Sequence, residues 1–361
     1  GKVKKLTTVK ADQWSQLNSQ YKELLLFMKQ NGGLMAGVKS ENLLQRNQFV
    51  AAREDEAMNG PVRVTAAQLK ARKASWESNH SQINKEAWAT LMYQAIRVFV
   101  LGRVTPIGMS KLPGVLMPAT SKGKGGGKSI DSELEGSNLY TLGESCLLKW
   151  VSYHVKNSMS NGLMKKRIVN FESDFADGSV FCHILASHLP HLAKGEGQPL
   201  FEYTPCTETS ALEKPDIRTA NCKKALEVFK MCKMDFGATL EGMLNPNARQ
   251  VVMWVLHLYQ ALPQLIPKTS IDFTCTLGDT MKKSIALTNP SSKPISYVIT
   301  LEGCDDFSME TDTISLDPKS VTQFLVTLTP RFSKPQEARL TFWSQKDGGP
   351  MASNLVFLVK S

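Results

Sequence analysis

Residues 170–190 read NFESDFADGSVFCHILASHLP. Asp177-Gly178 is turn chemistry, because glycine alone takes the left-handed backbone without a steric cost. Val180, Phe181, Ile184, Leu185 and Leu189 then recur at three- and four-residue spacing, the pattern of a short, strongly apolar helix. Upstream, Thr141-Leu-Gly-Glu144 has the form of a capping box, and Leu147, Leu148, Trp150, Val151 and Val155 follow it. Downstream, a long loop leads to Asp216, read as the cap of a helix carrying Ile217, Ala220, Leu226 and Phe229. Asn247 can cap ARQVVMWVLHLYQAL, apolar at Val251, Val252, Val255, Leu256 and Tyr259, until Pro263 stops it.

Four features in this order, LLKW, DFADGSV, NCKKALEVF and VVMWVLHLY, resemble a calponin-homology domain over residues 138–266, which implies an all-α fold. Each feature supplies a core stripe or a helix start, and none supplies a reactive group. Members of that family bind actin, usually as tandem pairs, or microtubules through basic surfaces. A second copy is missing here, and residues 138–265 carry 13 Lys+Arg against 12 Asp+Glu. Tight actin binding is therefore not expected. The compact basic run Lys165-Lys166-Arg167 is the candidate contact for an acidic partner.

Beyond Pro267 the period switches to two and β-branched residues take over. Segments IDFTCTL, KKSIALT, KPISYVITL, TISLD, VTQFLVTLT, EARLTFWS and NLVFLV are separated by turns such as Asn289-Pro290-Ser291-Ser292 and Asp347-Gly348-Gly349-Pro350. Short strands at this spacing predict an all-β immunoglobulin-like sandwich over 267–361. SIALTNPSSKPISYVITLEG and PRFSKPQEARLTF resemble the ASH domains, a branch of the major-sperm-protein fold found in hydin-like proteins of cilia. Cys275 and Cys304 lack the spacing of an antibody disulfide. The connector PQLIPKTS is short and carries two prolines, so it should restrict the angle between the last two modules.

The first third reads as an all-α block, 1–117. Trp14, Leu17, Tyr21, Leu24, Leu25 and Met28 make one stripe that stops at Asn31-Gly32-Gly33. A second helix is expected from Ser40 to Asn59. A third is expected from near Ser81, with Trp88, Leu91, Met92, Ala95, Ile96 and Phe99 as its core face. The chain's formal charge of +10 is concentrated here: residues 1–130 hold 20 Lys+Arg and 8 Asp+Glu, residues 131–361 hold 23 and 25. Such a block favours polyanionic partners, the acidic tails of tubulin among them. Lys2, Lys4 and Lys5 join Lys165, Lys166 and Arg167 as candidate contacts. A basic helix with Met and aromatic anchors also suits calmodulin, but Pro106 and Gly108 would break the helix across Ile96–Lys111.

Between the blocks, SKGKGGGKSI (121–130) ends like a phosphate-binding loop. Lys122 stands where the first glycine belongs, and no apolar strand precedes the run. It reads instead as part of a flexible Gly/Lys linker, 118–137. Cys182, His183, His188 and His191 lack a second metal knuckle. Asp174 and Asp177 are read as helix-start residues rather than as an acid–base pair. The basic residues are dispersed and the tryptophans lie in apolar stripes, which argues against nucleic acid. No run approaches the roughly 18 apolar residues of a membrane span. Seven scattered cysteines without a C-x-x-C pair suit a reducing compartment. A calponin-homology domain followed directly by an ASH domain resembles the large cilia- and flagella-associated proteins. That resemblance implies a non-enzymatic scaffold of the axoneme, in its central apparatus, meeting microtubules or other axonemal proteins with no cofactor and no small-molecule substrate. The alternative is a cytoskeletal adaptor outside cilia, linked to actin or calmodulin.

Overall fold

The computed structural model describes residues 2–60, 64–113, 115, 140–158, 167–193, 197–201, 203, 214–345 and 354–361, with side chains from Trp14 onward. The linker read at 118–137, including the glycine run, lies outside these residues. Contacts group the chain into two units, Gly1–Thr105 with Ile130–Cys146 and Pro106–Ser129 with Leu147–Ser361.

In the first unit, α1 (Lys2–Gln30) ends where the glycines are. Gly32 turns with φ +86° and the Gly33 N–H donates to the Met28 carbonyl at 2.8 Å. The helix expected from Ser40 is two pieces, a 3-10 turn Ser40–Leu43 and α2 (Arg46–Asn59), because Gln45 and Gln48 cap each other's backbone N–H. α3 (Ala66–Phe99) begins well before Ser81. Its start is another reciprocal box, Gln68 N–H to Thr65 Oγ1 at 3.3 Å and Thr65 N–H to Gln68 Oε1 at 3.0 Å. Periodicity missed this half because 66–80 is mostly charged and small residues, with Leu69 and Trp76 as its only large apolar ones. Leu25, Met28, Leu43, Ala87 and Leu91 form one core, with Tyr21 edge-on to Trp88 at 5.8 Å. Leu44, Phe49, Val50 and Ala52 form another against Trp14, Leu17 and Trp76. Met92 and Phe99, expected in the core, are 58% and 39% exposed.

The second unit contains α4 (Pro106–Ser110), the body of α5 (Leu142–Ser158), α6 (Ser179–His188), α7 (Pro215–Met231), α8 (Leu240–Leu244) and α9 (Ala248–Ala261). Trp150, Phe171, Phe175, Phe181, Ile184, Leu185 and Val251 are fully buried or nearly so. Phe181 is the hub, with ring centroids 5.3 Å from Phe175, 6.1 Å from Phe229 and 6.2 Å from Trp254. Asp216 does not cap α7: the helix starts at Pro215, which needs no N–H partner, and Asp216 sits in the first turn. The buried face of α7 is also rotated from the expected stripe. Asn221, Cys222, Ala225, Val228 and Phe229 point inward, and Ala220 is exposed.

Eight strands follow: β1 (Thr269–Asp272), β2 (Met281–Thr288), β3 (Ile295–Gly303), β4 (Phe307–Met309), β5 (Thr313–Leu316), β6 (Val321–Leu328), β7 (Glu337–Ser344) and β8 (Leu355–Lys360). They form two sheets, β1-β8-β7-β3-β5 and β2-β6-β4, mostly antiparallel with β1 parallel to β8. Leu287, Phe324, Val326 and Leu328 from one sheet meet Ile299, Leu340, Phe342 and Val359 from the other in a shared core. The expected sandwich is therefore present. β4 was missed because three residues carry no period, and β1 leaves the sheet at Phe273, earlier than IDFTCTL suggested. Asn289 fixes the turn after β2: its buried amide donates to the Lys293, Leu316 and Asp317 carbonyls and accepts from the Ser291 N–H.

Beneath Trp150 lie two buried imidazoles, His154 and His188, with ring centroids 4.0 Å apart. His154 Nδ1 meets Ser187 Oγ at 2.8 Å and His188 Nδ1 donates to the Ile184 carbonyl at 2.8 Å. Nε2 of each is buried with no hydrogen-bond partner among the described residues. Burial pushes His154 down to about 2, helped by His188, and His188 down to about 4. Both are neutral when folded, whereas an unfolded imidazole takes a proton below about 6.5.

Truncating Phe181 to Ala should cost about 3–5 kcal/mol in denaturant unfolding, and a loss under about 1 kcal/mol would mean the hub is misplaced. The histidine pair makes stability whole above pH about 6.5 and progressively lost toward pH 4, by about 1.4 kcal/mol per pH unit for each histidine. Thermal melts at pH 7 and 5 should therefore diverge, and His188→Asn should flatten the dependence. Equal melting at the two pH values would contradict a neutral buried pair.

Candidate functional site

The residues that carry the family-like motifs converge in the second unit. Gly178, at the start of α6, takes φ +70°, and a side chain there would stand 2.7 Å from the Cys222 backbone nitrogen. Asn221 Nδ2 donates to the Asp177 carbonyl at 3.2 Å, and Cys182 Sγ donates to the Asn221 carbonyl at 3.4 Å. Asp177 Oδ1 accepts from the Ser179 N–H and hydroxyl at 2.8 and 2.7 Å. Asp174 Oδ2 accepts from the Val169 and Asn170 N–H groups at 2.7 and 3.0 Å. Both carboxylates thus hold backbone in place, Asp177 at the start of α6 and Asp174 in the chain leading up to it.

Cys182, His183, His188 and His191 are not brought together. His183 Nδ1 lies 2.5 Å from the Tyr203 hydroxyl, His188 faces the Ile184 carbonyl, and His191 Nε2 lies 3.9 Å from Glu302. Among the described residues no group of three or more His, Cys, Asp or Glu is placed to hold a metal ion. Burial raises the Cys182, Cys222 and Cys232 thiols, the last two to about 12, and the six described cysteines are free. Such thiols pack rather than react. No helix among the described residues is long and apolar enough to cross a membrane.

Of the six basic candidates, Arg167 is exposed, Lys2, Lys4 and Lys5 lie on α1 with side chains outside the described set, and Lys165 and Lys166 lie outside it entirely. Two arrangements escaped the sequence reading. Glu144, expected only as a cap, accepts from Thr141 N–H at 2.7 Å and also from Tyr93 and Arg97 of α3 at 2.8 and 3.2 Å, all within the first unit. Its side chain is 4% exposed, so this pair is shielded from salt.

The other arrangement joins helices to sandwich within the second unit. β7 is buried on both faces. Ala338, Leu340 and Phe342 fill the sandwich core, while Arg339, Thr341 and Trp343 point the other way. Arg339 donates to the carbonyl of Leu265, at the end of the 3-10 turn that closes α9, and burial lowers its pKa. Lys233, a non-glycine residue at φ +52°, sets its ammonium 5.5 Å from the Trp343 ring centroid. The left-handed cap of α7 and the outer face of the sheet are thereby coupled by a cation–π contact. Arg and Trp at alternate positions of EARLTFWS were the available signal: an outward face carrying both is suited to a partner surface.

Comparison with known proteins follows the same division. Residues 2–104 match the family model described as "Cilia- and flagella-associated protein 47 domain", and residues 143–264 match that of the "Calponin homology (CH) domain". Over 96% of its length the chain is 29% identical to "Cilia and flagella-associated protein 47" of Mus musculus and 28% identical to the Homo sapiens protein of that name. It spans 11% of the length of each. Among solved structures, the ASH / PapD-like domain of human CEP192 aligns over 26% of this chain and 78% of its own, at 17% identity and a TM-score of 0.21. The chain thus carries a calponin-homology domain, preceded by a helical segment similar to one in cilia- and flagella-associated protein 47 and followed by a β-sandwich.

Proposed function

We propose that this chain is part of a non-enzymatic scaffold of the ciliary or flagellar axoneme, in its central apparatus, where it meets microtubules or neighbouring axonemal proteins in cilium assembly and motility. The observation that carries this reading is the similarity running through helical block, calponin-homology domain and sandwich alike, 96% of the chain, to proteins named for cilia and flagella. The working modules are 1–117, the linker 118–137, 138–266 and 267–361. The chemistry of the second unit supports a structural role: Asp174, Asp177 and Cys182 are engaged in holding helices together. The calponin-homology domain by itself also supports a second reading, an actin- or calmodulin-linked cytoskeletal adaptor outside cilia.

For direct lattice contact, the proposed groups are Lys2, Lys4 and Lys5 with Lys165, Lys166 and Arg167 as a secondary patch, acting on acidic tubulin tails. Exposed charges act over about 10 Å at 0.1 M salt. Binding should therefore weaken steeply as salt rises.

The full chain should cosediment with taxol-stabilised microtubules at low salt and lose binding when the acidic tails are removed. Lys2, Lys4 and Lys5 changed together to Gln should reduce binding more than the same change at Lys165, Lys166 and Arg167. Indifference to salt, tails and both variants would reject the electrostatic account in favour of a shape-specific surface. Absence of binding by the unaltered chain would reject lattice contact and leave contact with other axonemal proteins. A tagged full-length protein that stayed out of cilia in ciliated cells would overturn the axonemal reading itself.

A further inference from the structure

On α1, Lys22, Leu25, Leu26 and Lys29 stand at i, i+3, i+4 and i+7, one face of the helix. Across from them run Val38, Lys39, Ser40 and Glu41, and the two walls enclose a cleft of about 360 Å³. Leu25 and Val38 are buried in its floor, and Leu26 is 56% exposed on its wall. The cleft is open to solvent, with Leu25 and Val38 at its base and more polar than apolar surface around them, three lysines included.

Its one carboxylate is already shared. Glu41 Oε1 lies 3.8 Å from Arg53 and 3.9 Å from Lys39. Lys22 and Lys29 pair with no acidic side chain among the described residues, and the cleft is left with a positive excess. No aromatic ring lines the cleft to stack a nucleic-acid base: Tyr21 and Trp88 pack against the core, and the half-exposed Phe27 stacks on Phe99 instead. The apolar floor is of no use to a phosphate backbone.

We propose that this cleft is a docking groove for an acidic amphipathic helix of a partner protein. Lys22 and Lys29 stand about 10.5 Å apart along the axis at about 1.5 Å per residue, which is the rise between two glutamates seven residues apart on a second helix lying alongside. Apolar residues at the third and fourth positions between those glutamates then fall against Leu26 and into the floor over Leu25 and Val38. This is the helix-in-groove mode of recognition, with anchors at i, i+3, i+4 and i+7 matched by the same spacing on α1. The charges select the partner and speed its arrival, and the apolar contact holds it. The groove is separate from Lys2, Lys4 and Lys5 and does not depend on the axonemal reading.

The test uses the full 361-residue chain and a fluorescein-labelled synthetic helix with Glu at i and i+7 and Leu at i+3 and i+4, followed by anisotropy. Saturable binding is expected, weakened about tenfold by Lys22→Glu with Lys29→Glu, and about fivefold by Leu26→Ser, all at exposed positions of one helix face. A peptide with Lys in place of the two Glu should bind the doubly reversed variant better than the unaltered chain, which a misfolded variant could not do. Equal binding by a peptide whose leucines are changed to serine would overturn the proposal in favour of a plain basic surface. Tighter binding of a single-stranded DNA oligonucleotide at the same lysines would overturn it in favour of nucleic acid. Absence of peptide binding, or indifference to both variants, would also overturn it.

Discussion

The backbone of α6 can approach that of α7 only because position 178 has no side chain. A Cβ there would meet the Cys222 nitrogen at 2.7 Å and its sulfur at 2.8 Å, separations that real Cβ atoms essentially never show. The same glycine must also turn with φ +70° so that α6 can start one residue later. Asn221 then reads the resulting geometry, donating to the Asp177 carbonyl while its own carbonyl accepts from Cys182. Once α6 is seated in this way Phe181 falls between Phe175, Phe229 and Trp254, and the aromatic core of the calponin-homology domain follows. Burying a polar amide such as Asn221 is tolerable because its bonds are made, and it fixes one register of α7 against α6.

The same logic extends from helices to sheet. A two-sheet sandwich with one sheet face exposed would show β7 alternating buried and exposed. Instead Arg339 and Trp343 are buried on the outward face, because the end of α9 and the cap of α7 cover them. Helical domain and sandwich therefore share an interface with its own polar satisfaction, beyond the short connector between them. These contacts, together with the connector, hold the two modules at a defined angle.

Much of this was legible in the sequence. The Asp177-Gly178 turn, the apolar run after it, the closing helix capped by Asn247 and the switch to period two beyond Pro267 each rest on local chemistry, and each was found where expected. What escaped was tertiary in origin. Asn221 opens NCKKALEVF, but no apolar stripe includes it, and its bond to the Asp177 carbonyl beside Gly178 is a tertiary contact. Glu144 satisfies its own helix start, so nothing in the sequence announces Tyr93 and Arg97 as further donors. The early start of α3 lay in a Thr65–Gln68 box that precedes a stretch whose only large apolar residues are Leu69 and Trp76. The groove beside α1 needed residues from two segments that only the fold brings together.

Gly178 has a natural control in Gly237, which takes the same φ of +70° but has nothing within 4 Å of a built Cβ. Urea denaturation of the full chain carrying Gly178→Ala or Gly237→Ala separates backbone strain from close approach. Left-handed strain alone should cost each variant about 1–2 kcal/mol. The seating of α6 on α7 predicts that Gly178→Ala loses at least about 2 kcal/mol more than Gly237→Ala, the range expected when a packed core must shift. Equal losses in the two variants would contradict the claim that this contact organises the domain.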